Sequence, residues 1–169
     1  LGRYIKGVKN GPSPEWFQQL LKAVGLRPIS ALVDITNFMS MDQCRPLHVY
    51  DADKLKGDVA VRTTKKGESL EALNDKTYED VGDEAVGIYD DSGFIGLGGI
   101  VGGTSTGSET DTTNVFVEAA YFKPQRIART GRDLQITSDA RYRFERGVDP
   151  EFTFAGMEIA TKLILEFCG

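Results

Sequence analysis

One carboxylate interrupts an apolar stretch of the sequence. Glu118 lies within residues 115–122 (VFVEAAYF), where strand alternation would place it on the same face as Phe116 and Ala120. Burying an unpaired carboxylate costs several kcal/mol, so this group must meet an arginine, backbone amides or a donor on a ligand. The pattern leaves two interpretations open: an internal partner, such as an arginine between 126 and 146, or recognition of a ligand donor.

His48 is the only histidine of the chain. It follows Pro46 in RPLHVYD (45–51), just after a predicted turn, where loops often place functional side chains. A lone histidine is more often packed or exposed than catalytic, and Cys44 lacks an evident group to complete a Cys-His pair. Only Cys168 accompanies Cys44, so we expect no zinc site, no disulfide scaffold and a cytoplasmic location.

The third candidate is the glycine cluster GGIVGG at 98–103. A phosphate-binding loop would end in Gly-Lys-Ser/Thr, and a dinucleotide fingerprint needs glycine where this chain has Val101. Neither pattern fits. The cluster indicates either a structural turn or a place where a ligand approaches the backbone closely.

Charge is distributed unevenly. Residues 123–146 contain seven basic and three acidic residues, a local balance of +4 in a chain of net charge −5. Such a stripe could attract a phosphate backbone, although ion pairing within the segment would leave only a solvated face. No apolar run approaches the roughly 20 residues of a membrane span, so no membrane contact is expected.

Helical patterns occur towards both ends of the chain. The first runs from Ser13, as N-cap, to Gly25, and the second follows Ser30 and has enough β-branched residues to leave a strand possible. Pro124 opens a short helix, and Asp149 with Pro150 caps the last one. The apolar faces are predicted to be Trp16, Leu20, Leu21 and Val24 in the first helix and Phe152, Ala155, Ile159, Leu163 and Phe167 in the last.

Between these helices lie short β-type runs, and the polar tract 104–114 is predicted to be an exposed or mobile loop. The pattern favours an α+β fold: a single domain with a mixed or antiparallel sheet flanked by N- and C-terminal helices. Because the chain starts without methionine and ends after a helical pattern, we expect residues 1–169 to be one domain cut from a longer protein. The predicted strands are 59–63, 69–73, 77–79, 85–89, 94–97 and 115–120.

Four stretches together resemble the editing module of bacterial phenylalanyl-tRNA synthetase β subunits. They are RPISALVDITNF (27–38), RPLHVYD (45–51), GLGGIVGG (96–103) with VFVEAAYF (115–122), and TSDARYRFERGVDP (137–150). The resemblance covers nearly the whole chain. It implies hydrolysis of tyrosine wrongly attached to tRNA(Phe), without a metal or a covalent protein nucleophile.

The resemblance also implies roles for individual residues. It puts Glu118 at the tyrosine hydroxyl and makes His48 a group that orients water or a ribose hydroxyl, with backbone amides near Gly102 facing the oxyanion. Relatives often have threonine at position 138 and Gly-Gln or Ala-Gln at 44–45, so Arg45 adds a charge near His48. The implied catalytic residues are Thr36, Asn37 and His48, and the implied substrate-binding residues are Gly102, Glu118, Ser138 and Ala140.

The partners implied are the 3′ end of tRNA(Phe), the synthetase α subunit and the remaining β-subunit modules. No cofactor is expected in this domain, since ATP and Mg²⁺ are used by the synthetic site elsewhere in the enzyme. Two alternatives remain open. One is a noncatalytic scaffold or docking module of the synthetase, and the other is a freestanding aminoacyl-tRNA hydrolase or amino-acid-binding module.

Overall fold

The α+β class predicted from the sequence is confirmed in a computed structural model that describes residues 1–169. All strand pairs are antiparallel. The nine strands are β1 (Gly2–Lys6), β2 (His48–Asp51), β3 (Ala60–Thr63), β4 (Leu70–Ala72), β5 (Lys76–Tyr78), β6 (Val86–Asp90), β7 (Gly93–Leu97), β8 (Val101–Gly102) and β9 (Asn114–Glu118). The helices are α1 (Glu15–Ala23), α2 (Ala31–Asp42), α3 (Pro124–Asp133), α4 (Asp139–Phe144) and α5 (Phe152–Cys168), with a 3-10 turn at Thr104–Thr106.

The chain groups into two compact units, each assembled from separate segments. The first contains Leu1–Ala52, Ser108–Ala119 and Asp149–Gly169, and the second contains Asp53–Gly107 and Ala120–Val148. No helix combines the length and apolar character needed to cross a membrane.

In the first unit, a three-stranded sheet of order β1-β9-β2 packs with α1, α2 and α5. Val115 and Val117 alternate along β9 and are fully buried, as strand periodicity requires. Their face of the sheet joins an apolar core that includes Phe17, Ile35 and Met157. The opposite face of β9 carries Phe116 and Glu118. These two side chains point away from the core and are therefore available for other contacts.

The second unit contains a four-stranded sheet of order β3-β6-β7-β8, a separate β4-β5 hairpin and helices α3 and α4. The ring of Phe122 packs edge-to-face on Phe144, with centroids 5.1 Å apart. Gly98 and Gly99 lie so close to Phe122 that a Cβ at either position would come within 3.0 Å of the ring. These aromatic contacts fix the turn between β7 and β8.

The helix predictions are confirmed in type and corrected in detail. The segment after Ser30 is helical, and Gly25, with φ of 83°, follows the end of α1. Ser13 is not a side-chain cap, because its hydroxyl donates to buried Asp34 at 2.5 Å and Pro14 takes the N-cap position. Residue 149 does not occupy the N-cap of α5 either, since Glu151 does, and the Asp149 carboxylate accepts from the Glu151 amide.

Two predicted apolar faces are confirmed only in part. The buried positions of α1 are Phe17 and Leu21, whereas Trp16, Leu20 and Val24 are about half exposed. Apolar residues stand on both sides of that helix, so periodicity alone cannot choose the core side. In α5 the fully buried residues are Gly156, Met157, Ala160, Ile164 and Cys168. Of the predicted face, Ile159, Leu163 and Phe167 are partly buried against the same core, and Ala155 is exposed.

The tract 104–114 also differs from the predicted exposed loop. It opens with the 3-10 turn and ends in β9, and both Thr106 and Thr112 are buried. The Thr112 hydroxyl donates to Asp51 at 2.7 Å, which explains how a polar residue is accommodated there. Three strands and one helix were not predicted: β1, β2, β8 and α4.

Candidate functional site

Strand pairing places His48 opposite Glu118. In the antiparallel pair of β2 and β9, His48 is the register partner of Glu118, and Tyr50 is the partner of Phe116. Because residues two apart share a face, all four side chains belong to the face of the sheet opposite Val115 and Val117. The two chemically interesting residues singled out by sequence are therefore neighbours, although 70 positions separate them.

The donor that meets Glu118 is a tyrosine of the adjacent strand. The Tyr50 hydroxyl donates to Oε2 of Glu118 at 2.7 Å, and Tyr50 is 2% exposed. The arginine suggested as an internal partner is thus replaced by a neutral phenol. A neutral donor satisfies one lone pair of the carboxylate and leaves its charge uncompensated by a side-chain cation.

The electrostatics of this pair follow from burial. Desolvation raises the pKa of Glu118, while the hydrogen bond from Tyr50 opposes that rise by stabilising the ionised form. Burial and the adjacent carboxylate raise the pKa of Tyr50, so its hydroxyl keeps its proton. The arrangement is a fixed donor facing an acceptor with spare capacity.

His48 is neutral in this environment. Burial lowers its pKa to about 4, and its Nε2 atom is buried without a hydrogen-bond partner in the protein. The ring packs edge-to-face against Tyr50, with centroids 4.2 Å apart. A neutral imidazole with an unpaired nitrogen can accept from or donate to a water or hydroxyl, depending on the tautomer.

Thr36 and Asn37 lie in the middle of α2, in the same unit as His48 and Glu118. The Thr36 hydroxyl donates to the Val33 carbonyl at 2.8 Å, a bond within the helix. The Asn37 side chain is half-buried. No hydrogen bond joins Thr36 or Asn37 to His48 or Glu118, so their catalytic assignment stays a prediction.

Arg45 is only three residues from His48 in sequence and was therefore expected to add a charge near it. In the structure, Arg45 is buried inside the first unit. Its guanidinium donates to the Asp149 carbonyl, and the residue is 1% exposed. Burial lowers the pKa of Arg45, with the Asp149 carboxylate opposing this effect. The arginine therefore connects the turn before β2 to the segment before α5.

In the second unit, the glycine cluster forms the turn from β7 into β8. Gly99 has φ of 70°, and a Cβ at Gly103 would lie 2.5 Å from the Ile95 carbonyl oxygen, so both require glycine for structural reasons. Gly102 pairs with Gly96, and its carbonyl accepts from the Leu73 amide at 3.0 Å. The structural interpretation applies to positions 99 and 103, and substrate binding at Gly102 stays a prediction.

Ser138 and Ala140 belong to the start of α4. The Ser138 hydroxyl accepts from the Arg141 amide at 3.0 Å and donates to the Ile100 carbonyl at 2.8 Å. It therefore caps the helix and connects it to the glycine turn. Ala140 is half-buried in the helix, and a substrate-binding role for either residue stays a prediction.

Much of the predicted basic stripe is neutralised within the second unit. Arg141 pairs with Glu145 at 3.0 Å, Arg143 pairs with Asp139 at 3.1 Å, and Arg129 pairs with both Glu84 and Asp133. Arg146 pairs with Glu145 at 2.9 Å and stacks on Tyr142, with its guanidinium carbon 3.7 Å from the ring centroid. These contacts favour the interpretation of a solvated, ion-paired face.

Tyr50 is the site residue that sequence reasoning missed. A tyrosine in a strand is ordinary, and nothing in HVYD alone marks its hydroxyl as a partner of a distant acid. The available signal was alternation, which puts Tyr50 on the face of His48 once β2 is recognised as a strand.

Comparison with known proteins agrees with the sequence resemblance. A family model described as the B3/4 domain matches residues 1–169. The phenylalanine–tRNA ligase beta subunit of Paramagnetospirillum magneticum is 58% identical over 168 residues, and that of Brucella suis is 56% identical over 170, each match covering 99% of this chain. A crystal structure of an N-terminal fragment of the phenylalanyl-tRNA synthetase beta subunit from Pyrococcus horikoshii is similar with 14% identity and a TM-score of 0.49, covering 80% of this chain and 45% of that one.

The matched region is only part of these proteins, since the chain spans 21% of the length of the two bacterial relatives. Identity above one half over the full chain leaves no doubt about common ancestry. The chain belongs to the B3/4 domain family, and over its whole length it corresponds to a segment of phenylalanine–tRNA ligase beta subunits.

Proposed function

We propose that this chain hydrolyses the ester that joins tyrosine to tRNA(Phe), as the proofreading part of a phenylalanine–tRNA ligase. The observation that carries the proposal is the Glu118 carboxylate, which stands on an apolar strand opposite His48 with Tyr50 as its donor. A ligand hydroxyl would add a second donor to this acceptor. Tyrosine has such a hydroxyl, and phenylalanine lacks it.

A second selection step is needed because a pocket shaped for phenylalanine cannot strongly reject an analogue that only adds a hydroxyl; discrimination of about 100-fold is typical. A site that hydrogen-bonds the hydroxyl rejects the analogue without it far better, by about 10⁴-fold, because a buried polar group is then left unpaired. Glu118 provides that asymmetry in the required direction.

Hydrolysis itself demands little of the protein. An aminoacyl ester is already activated, so positioning a water and holding the carbonyl can supply much of the rate. Neutral His48, with its unpaired Nε2, is suited to orient that water or a ribose hydroxyl. Thr36 and Asn37 are the other predicted catalytic residues, and Gly102, Ser138 and Ala140 the predicted substrate contacts.

The partners in this proposal are the 3′ end of tRNA(Phe), the ligase α subunit and the rest of the β subunit. The noncatalytic docking module stays the competing hypothesis, and one feature favours it: Glu118 already has an internal donor in Tyr50. If the role of Glu118 is purely structural, its carboxylate serves only to accept this hydrogen bond from Tyr50.

Release of tyrosine from Tyr-tRNA(Phe) decides between the two, with Phe-tRNA(Phe) as the parallel substrate. We expect the ligase that contains this chain to release tyrosine much faster than phenylalanine, and His48→Ala to reduce the tyrosine rate. Leu20→Ala, at a half-exposed position of α1, is the control and should leave both rates unchanged. Equal, negligible release of both amino acids by the parental ligase would support the docking module.

A further inference from the structure

Tyr50 is the one protein donor on the Glu118 carboxylate. Its hydroxyl reaches Oε2 at 2.7 Å, and no protein group donates to Oε1. An ionised carboxylate has about four lone-pair sites, so one donor leaves most of its acceptor capacity unused. The two oxygens of Glu118 are therefore not equivalent.

Tyr50 is held in the position that this bond requires. The side chain is 2% exposed, packs against His48 at a centroid distance of 4.2 Å, and lies 6.1 Å from the Phe116 ring. A ring enclosed in this way has few alternative rotamers. The direction of its hydroxyl follows from the packing of β2 on β9.

We infer that Tyr50 is a positioning residue for substrate selection, whose hydroxyl holds the Glu118 carboxylate in one orientation and leaves Oε1 to accept the phenolic hydroxyl of a tyrosyl ester. This inference rests on the proposed function. The terminal torsion of a glutamate is broad, so without a fixed donor the carboxylate would rotate between many orientations.

Loss of the Tyr50 hydroxyl has a second consequence. The buried carboxylate would keep no protein side-chain donor, and its protonated form would be favoured. A protonated acid can donate as well as accept, so it distinguishes tyrosine from phenylalanine less sharply. Both consequences reduce selectivity rather than the ability to hydrolyse an ester.

The first test is Tyr50→Phe in the full-length ligase, with kcat/KM measured for Tyr-tRNA(Phe) and Phe-tRNA(Phe). We expect the ratio of the two values to fall about tenfold, the scale of a hydrogen bond to a charged group, with the fall arising from tyrosine. Tyr4→Phe is the matched control, because Tyr4 lies in β1 of the same sheet, is 49% exposed and has Lys6 over its ring. It should leave the ratio unchanged.

A double-mutant cycle with Glu118→Gln separates positioning from general loss of structure. If Tyr50 acts through Glu118, then Tyr50→Phe lowers the ratio in the parental background and changes it little when residue 118 is glutamine. Replacement of Tyr50 by 4-aminophenylalanine, which restores a donor on the same ring, should recover selectivity. This variant also covers the case in which Tyr50→Phe folds poorly.

The outcomes distinguish this inference from the proposed function. If the parental ligase prefers Tyr-tRNA(Phe) and Glu118→Gln removes the preference, while Tyr50→Phe keeps the parental ratio, only the role of Tyr50 is wrong. Independent, multiplicative effects of the two substitutions would overturn it as well. If the parental ligase shows no preference, the proposed function fails, and the role of Tyr50 fails with it.

Discussion

The two units of this protein treat buried charge in opposite ways. In the first, Glu118 receives one hydrogen bond from a neutral phenol and has no side-chain counter-ion. In the second, Arg141 donates to Glu145 and to the carbonyls of Gly131 and Ile136. The arginine is neutralised and its donors are used, whereas the carboxylate retains acceptor capacity.

The set of partners around a charge indicates whether that charge can take part in ligand binding. A charge with a complete set of partners stabilises its surroundings and gains little from a ligand. A carboxylate with a single neutral donor can still accept further hydrogen bonds from a ligand. The charge balance of the sequence suggests a functional role for the basic segment 123–146, whereas the hydrogen bonds in the structure indicate Glu118 instead.

The largest expected effect is at the incomplete site. Glu118→Ala should reduce the preference for Tyr-tRNA(Phe) over Phe-tRNA(Phe) by about 10³-fold, because the acceptor for the substrate hydroxyl is lost. Stability should change far less, by about 1 kcal/mol, the cost of leaving the Tyr50 hydroxyl unpaired. Deacylation rates and urea unfolding measured on the same samples check both numbers.

The opposite outcome is equally informative. A large loss of stability with an unchanged preference would make Glu118 a structural acid, like the partners of Arg141. The two units would then no longer differ in how they accommodate charge, and the docking-module hypothesis would gain support.

Arg141→Ala tests the complete network. The side chain is 17% exposed, and its removal takes one donor each from Glu145 and from the carbonyls of Gly131 and Ile136. We expect the free energy of unfolding to fall by about 3 kcal/mol, measured by urea denaturation. Arg132→Ala, at an exposed position in α3, is the control and should cost less than about 0.5 kcal/mol.

A loss below about 1 kcal/mol for Arg141→Ala would show that solvent replaces its partners. The network would then no longer count as buried, and the contrast with Glu118 would weaken.

His48 predicts a pH dependence in the first unit. Its pKa is about 4 in the fold against 6.5 for the free side chain, so between these values the unfolded chain binds a proton that the native state does not. The stability linked to His48 is complete above pH 6.5 and is lost as pH falls towards 4. From pH 6.5 to 5 the parent should lose about 2 kcal/mol more than His48→Gln does.

The comparison isolates His48 because it is the only histidine and because Glu118 is present in both proteins. The raised pKa of Glu118 acts in the opposite direction, since the native state takes up that proton first as pH falls. Parallel stability curves for parent and variant between pH 5 and 6.5 would show that His48 is hydrated rather than buried.

Local patterns predicted much of the architecture. Pro124 at the first turn of α3 and the Ser30 position before α2 are signals that do not depend on the rest of the chain. The buried sides of α1 and α5 were predicted only in part, because apolar residues such as Trp16 and Phe17 occupy adjacent positions. Only the sheet that packs against a helix decides between them.

The candidate site, like the fold, could be predicted only in part. Glu118 stands out in sequence because an acid in an apolar strand needs an explanation. Its partner Tyr50 could not be identified, because the pairing of β2 with β9 joins segments more than 60 residues apart and no local signal specifies that register. The five-residue β1 and two-residue β8 were missed for the same reason.

The smallest effect is expected where charge is paired but exposed. Arg129 contacts Glu84 and Asp133, and its side chain is 61% exposed, so solvent screens both ion pairs and ordering the side chains costs entropy. We expect Arg129→Ala to change the free energy of unfolding by less than about 0.5 kcal/mol, and the difference to shrink further as salt is raised. Urea unfolding at low and high ionic strength measures it. A loss above about 1 kcal/mol that persists in high salt would mean that the pair is desolvated. The difference in exposure between Arg129 and Arg141 would then not predict which of the two ion pairs stabilises the fold.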